Sequence, residues 1–147
     1  MNDFKKIIKL KLESKEYERK INKNLLQIKS VRDRYEYYLE RDINGKHRAV
    51  FMAIYDGKIV GMVISRIYRS LKTIGYKRRA TLSNLYVKPD YQGIGIGDKL
   101  IKALSLWYKE RKVDTIALSV YPNEKYLIEM YSKLGFKKSS ISMHKKI

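Results

Sequence analysis

The chain has 147 residues, 44% of them hydrophobic and 33% charged, enough apolar material for one packed domain over residues 1–147 and little room for a second. It contains no cysteine, which excludes disulfides, thiolate metal sites and a cysteine nucleophile; His47 and His144 lie too far apart in sequence to suggest a metal site. Lys and Arg number 33 against 15 Asp and Glu, a net charge of +18 that attracts polyanions and anionic ligands, although the basic residues are spread along the chain as on a solvated surface. No apolar run approaches the roughly 20 residues that span a bilayer, and the polar start lacks the apolar core of a signal peptide. The expected setting is therefore cytoplasmic, with no membrane partner.

Taken in chain order, Phe4 to Leu12 alternates, with Ile8, Leu10 and Leu12 on one face, and reads as a first strand. Ser14 then caps a helix through Tyr17, Ile21, Leu25 and Ile28. A second helix is expected from Val31 to about Arg41; its Tyr35, Tyr37 and Tyr38 either pack or form an exposed aromatic patch. After the break at Asn44-Gly45, Val50–Tyr55 and Ile59–Tyr68 flank Asp56-Gly57 as a hairpin. Arg69–Arg79 is a basic irregular stretch, and Ala80–Val87 is another strand. A helix runs from Ile96 to Arg111 with Ile96, Leu100, Leu104 and Trp107 as its apolar stripe. Thr115–Val120 is a short buried strand. A last helix spans Glu124–Leu134 with Gly135 at its C-terminal cap, and Phe136–Ile147 closes as strand, turning near Ser139-Ser140. This order implies a mixed α/β sheet with helices on both faces.

The segment most charged with chemistry is Leu85-Tyr86-Val87-Lys88-Pro89-Asp90-Tyr91-Gln92-Gly93-Ile94-Gly95-Ile96-Gly97, a strand, a turn and a glycine-rich entry into an amphipathic helix. Glycines let a ligand approach the backbone. The first N–H groups of a helix have no internal partners and carry positive potential, which suits a phosphate or pyrophosphate. A dinucleotide-binding fingerprint would need an early βαβ unit, and a Walker loop would need Ser or Thr after its Lys; Gly97 is followed by Asp98-Lys99. A purely structural turn would not need three alternate glycines.

Gln92-x-x-Gly95-x-Gly97 resembles the Arg/Gln-x-x-Gly-x-Gly/Ala signature of the GNAT acetyltransferases, and Met130–Phe136, MYSKLGF, resembles the LYEKLGF ending of that family. The likeness is specific from about Ala80 to Phe136. Within the family, Ala80–Gln92 is most similar to the alanine N-acetyltransferases that modify ribosomal proteins. The resemblance implies a mostly antiparallel sheet with a splayed acetyl-CoA cleft. It implies that the strand before the glycines bulges and that Leu85, Tyr86 and Val87 pair through their backbone with pantetheine. The N–H groups from Gln92 through Gly93, Ile94, Gly95 and Ile96 to Gly97 would hold the pyrophosphate, and Tyr131 would be the general acid. The expected activity is acetyl transfer from acetyl-CoA to a primary amine, a protein N-terminus or lysine first.

The pattern also departs from the family. The usual glutamate places are filled by Ser83 and Ser119, so no general base stands out; Glu124 is a further candidate. Asn123 lies one residue from the slot of a coenzyme A-contacting asparagine and is kept as a cofactor candidate. The short segment after Phe136 implies an open acceptor site. Tyr76-Lys77-Arg78-Arg79 is a candidate phosphate-binding stretch. The competing readings are a GNAT-like module that binds acetyl-CoA with little turnover, or a tRNA- or ribosome-associated binding protein on the same scaffold.

Overall fold

The computed structural model describes residues 2–22, 32–69 and 78–147. The elements are α1 (Asn2–Ile21), α2 (Arg32–Asn44), β1 (Arg48–Tyr55), β2 (Lys58–Arg69), β3 (Arg78–Val87), a 3-10 turn (Pro89–Tyr91), α3 (Ile96–Glu110), β4 (Thr115–Ala117) and α4 (Lys125–Lys133). Four strands pair in the order β1-β2-β3-β4. The first two pairings are antiparallel and β3–β4 is parallel. The hairpin turn has Asp56 at φ 47° and Gly57 at φ 69°; left-handed backbone at both turn positions matches the twist of the flanking strands.

Two apolar cores lie on opposite faces of this sheet. One joins Val63, Ile67, Ala80 and Leu82 to Leu100, Leu104 and Trp107 of α3 and to Tyr131 of α4. The other joins Ile7, Ile8 and Leu10 of α1 and Leu39 of α2 to Met62, Ile64 and Tyr86. Polar ties reinforce both. Ser65 donates to the Thr81 carbonyl at 3.1 Å and meets the Tyr108 hydroxyl at 2.6 Å, so Tyr108 is the donor in that second bond. On the other face, Asp42 of α2 pairs with Arg48 and with Arg66, the latter at 3.0 Å.

A bulge in β3 changes which of its residues face each core. Ile64 pairs with Asn84, while the next residue, Ser65, pairs with Leu82. Ser83 is therefore the extra residue, and the side-chain alternation slips by one across it. Ala80 and Leu82 face α3, whereas Asn84 and Tyr86 face α1.

Two expected strands are corrected. Phe4–Leu12 is helix, the first half of α1. As a strand it would place Ile7 opposite Ile8 and Leu10; the helix buries Ile7, Ile8, Leu10 and Ser14 together, because positions three and four apart share a face. Ser14 is consequently mid-helix and not a cap. Phe136–Ile147 contains no regular strand. Ile141 and Met143 are each 89% exposed, so their alternation has found no sheet edge to cover. β4 is shorter than expected, ending at Ala117. Gly135 is left-handed at φ 91° directly after α4, as expected of a helix terminator. Leu25 and Ile28, like Tyr76 and Lys77, lie outside the described residues.

Candidate active site

The site is assembled around the place where β3 and β4 part. They pair only from Arg79 with Thr115 to Thr81 with Ala117. Beyond that point β3 continues to Val87 while the chain after Ala117 leaves strand geometry. Among the described residues, the backbone of Leu82–Val87 therefore has β2 on one side and no strand partner on the other. Leu85 and Val87 project toward the α3 core and Tyr86 toward the α1 core, and alternate peptide groups of this segment turn to the gap, the Val87 carbonyl among them.

At the end of β3 the chain turns through Pro89–Tyr91, and the Gln92 side chain donates back to the Val87 carbonyl at 2.9 Å. This bond fixes the loop against the strand. Gly93 and Gly95 take φ 78° and 86°, backbone that a side chain disfavours. The first backbone bond of α3 is Lys99 N–H to the Gly95 carbonyl, so the N–H groups of Ile96, Gly97 and Asp98 have no acceptor within the helix. Ile96 is buried and anchors the first turn, whereas Ile94 is 56% exposed on the loop crest. A Cβ built on Gly93, Gly95 or Gly97 would meet no atom within 4 Å. At Gly97 neither backbone angle nor internal packing asks for glycine. The space above it is a cradle that a side chain would fill, and the donors around it suit an anion such as the pyrophosphate of coenzyme A.

Tyr131 lies on α4, 6% exposed, in the core shared by α3, Leu85, Val87, Leu118 and Val120. Its ring packs edge-on against Phe136 at 5.5 Å. Phe136 is held there because its N–H donates to the Tyr131 carbonyl at 3.0 Å. Burial first, and then the nearby Glu124 carboxylate, push the Tyr131 phenol above its ordinary pKa, so it keeps its proton at neutral pH. Among the described residues its hydroxyl has no hydrogen-bond partner.

The remaining candidates are placed as follows. Ser83 and Ser119 are both exposed. Glu124 accepts from the Tyr121 N–H at 3.0 Å and so orders the entry to α4. The Asn123 amide donates to the Ile21 carbonyl at 3.0 Å and so ties the end of α1 to the start of α4. Arg78 donates from its guanidinium to the Arg111 carbonyl at 2.7 Å and from its backbone to Asp114 at 3.1 Å, so it joins β3 to the end of α3. Tyr37 is exposed, and Tyr38, also exposed, lies 4.8 Å from the Arg41 guanidinium. Glu18, which the sequence offered no reason to single out, lies against Asn84 at 3.3 Å; it falls on the helix expected after Ser14, but nothing in the local pattern says which residue of β3 that helix meets. Among the described residues no group of acidic and histidine side chains could hold a metal ion, and no helix is long and apolar enough to cross a membrane.

This architecture has counterparts. Over 92% of this chain and 88% of the other, it superposes on an aminoglycoside N-acetyltransferase in complex with CoA, with a TM-score of 0.70 and 18% identity, a likeness of fold alone. In sequence, 83 residues are 30% identical to a probable spermine N(1)-acetyltransferase of Bacillus subtilis subsp. natto, covering 56% of this chain and 55% of that protein. This chain thus matches little more than half the length of that relative. Another 30% identity extends over 97 residues of the ribosomal protein bS18-alanine N-acetyltransferase of Escherichia coli K12, 66% of this chain and 60% of that enzyme. The sequence profile of the Acetyltransferase (GNAT) family matches residues 11–136, so the chain belongs to the GNAT family of acetyltransferases.

Proposed function

We propose that residues 1–147 form one cytoplasmic N-acetyltransferase domain that moves the acetyl group of acetyl-CoA to a primary amine, a protein or peptide amino group first. The observation that carries this reading is the glycine cradle at the N-terminus of α3, open to Cβ atoms at Gly93, Gly95 and Gly97, beside the free edge of β3. An anion held on the N–H groups from Gln92 to Gly97 would leave its pantetheine arm to run along the backbone of Leu85, Tyr86 and Val87. That arm would deliver the thioester to the gap, near Tyr131.

In the reaction the amine nitrogen attacks the thioester carbonyl carbon, forming the C–N bond. Backbone N–H groups at the parted strands face the oxygen on which charge develops. As the C–S bond breaks, Tyr131 gives its proton to the departing thiolate, and the proton lost by the amine passes to water and restores the phenol. Ser83 and Ser119 have no role as bases, since a hydroxyl is too weakly basic at neutral pH. An α-amino group, with a pKa of about 8, is already partly neutral and needs no strong base. The relatives named for spermine and for a ribosomal-protein alanine both act on primary amines, and the +18 charge favours a peptide over a polyamine because it repels a polycation.

The test is coenzyme A release from acetyl-CoA by the purified chain with peptides, polyamines and tRNA as acceptors. Release stimulated by free-amine peptides supports the reading. Acetyl-CoA binding without turnover on any acceptor would favour the non-catalytic module, the reading to which the two exposed serines at the usual glutamate places point.

A further inference from the structure

On the α1 face of the gap lies a polar cluster that the proposed reaction leaves unused. Asn84, the first residue after the bulge, is 6% exposed. Its amide nitrogen donates to Ser14 Oγ at 3.1 Å and to Glu18 Oε1 at 3.3 Å. A carboxylate only accepts, so the nitrogen must be the atom facing Glu18. The Asn84 Oδ1 is therefore the atom turned away, and it is buried without a donor. A buried carbonyl oxygen with no partner is unfavourable and calls for an explanation.

The other oxygen of Glu18 holds Lys15 Nζ at 2.6 Å, and these side chains are 25% and 24% exposed. The chain itself thus shows that this carboxylate accommodates a primary ammonium within reach of solvent. Its location is set by two further ties. Asn123 bonds the Ile21 carbonyl, so the last turns of α1 reach from Asn84 on β3 to the entrance of α4, across the gap. Tyr17 packs on Tyr86 with ring centroids 6.0 Å apart, walling the cluster on the β3 side. Tyr131 belongs to the opposite core. An amine entering from α1 and the proton donor for the thiolate on α4 would thus approach the thioester from different faces of the sheet and not compete for space.

We infer that Glu18, held in place by the Asn84 amide and walled by the Tyr17 ring, forms the subsite that receives the ammonium group of the acceptor, and that Lys15 is an internal competitor which the acceptor displaces. The inference rests on the transferase reading for its purpose but not for its test. Glu18 here binds and positions; the amine still loses its proton to water.

The experiment measures binding, without acetyl-CoA, of a short peptide with a free α-amino group and of its N-acetylated twin, by calorimetry. Wild type is expected to bind only the free peptide. Glu18→Gln retains an acceptor for Asn84 and removes the charge, and should weaken binding about tenfold or more, as loss of a charged hydrogen bond does. Lys15→Met keeps the apolar stem and removes the competitor, and should tighten binding several-fold, an effect of opposite sign that a merely structural role would not produce. Turnover should show the same pattern in KM, with kcat little changed. Wild type that does not distinguish the two peptides overturns the inference, as does Glu18→Gln that binds like wild type, or Lys15→Met that weakens binding as Glu18→Gln does. Thermal melting checks that both variants fold; if Glu18→Gln does not, the sign of the Lys15→Met effect decides. Opposite effects of the two variants on peptide binding, with no acetyl transfer, would sink the transferase reading and leave the subsite. Transfer by variants indistinguishable from wild type would do the reverse.

Discussion

A phenol that must keep its proton until a thiolate forms beside it is helped by burial, and Tyr131 is buried with Glu124 nearby. The same desolvation that raises its pKa makes a free thiolate unstable there, so the proton moves only when the C–S bond breaks. Tyr131→Phe preserves the edge-on packing against Phe136 and removes only the hydroxyl. It should lower kcat by about 10²- to 10⁴-fold, the usual worth of a positioned acid, with acetyl-CoA affinity and melting temperature unchanged. An equal loss of acetyl-CoA binding would mean that the hydroxyl holds the cofactor and is not the acid. Gly97 offers a complementary case, since nothing in the chain needs it to be glycine. Gly97→Ala should stabilise the fold slightly, by up to about 1 kcal/mol, because alanine is the better helix former, yet it should weaken acetyl-CoA binding. A variant that is more stable and binds the cofactor as well as wild type would show that the cradle is not the pyrophosphate site.

The elements were legible where pattern and punctuation agreed. The hairpin around Asp56-Gly57 and the helix starting at Ile96 follow from alternation or stripe plus glycines at the right places. The α1 region was misread because Ile8, Leu10 and Leu12 alternate by chance. What decides between strand and helix there is Ile7, whose burial depends on which surface the segment packs against, and short-range pattern does not encode that. Glu18 falls in the helix expected after Ser14, yet its meeting with Asn84 of β3 is a long-range contact that the local pattern does not encode. A bulge in this strand follows from the family likeness, but its place at Ser83 does not, because it is a mismatch between two strands and belongs to neither alone. The C-terminal segment had strand alternation but no edge to receive it. Its residues from Ser139 to Ile147 are all exposed, so deleting them should change stability by no more than about 0.5 kcal/mol, read as a nearly unchanged melting temperature. A clear drop on deletion would mean that Ile141 and Met143 cover apolar surface in solution.

For the molecule as a whole, the dependence of stability on pH joins both cores in one curve. Tyr86, Tyr108, Tyr131 and the half-buried Lys11 all titrate away from their ordinary values chiefly through burial. Burial pushes Tyr108 up to about 12 despite its bond with Ser65, and it raises Tyr131 as well. Burial first, and then Lys15, push Lys11 down to about 8, while Glu18 and Asp42 pull it upward. An unfolded lysine holds its proton to about pH 10.4. Between about 8 and 10.4 the unfolded chain thus binds more protons at this position, and stability from Lys11 rises with pH. An unfolded tyrosine loses its proton near pH 10, whereas the folded chain retains it at Tyr108 and Tyr131. Their contribution is complete below pH 10 and is lost as pH climbs toward 12 and beyond. The melting temperature should therefore rise modestly from pH 8 to about 10 and then fall steeply. Lys11→Met should flatten the rise while leaving the fall, and Tyr108→Phe should reduce the steepness of the fall while leaving the rise. The +18 net charge adds a slope of its own, because neutralising lysines relieves repulsion across the surface. Repeating the series in high salt separates the two, since salt screens exposed charges and leaves the buried groups nearly untouched. A rise that vanishes in salt would assign it to the surface and remove Lys11 from the account.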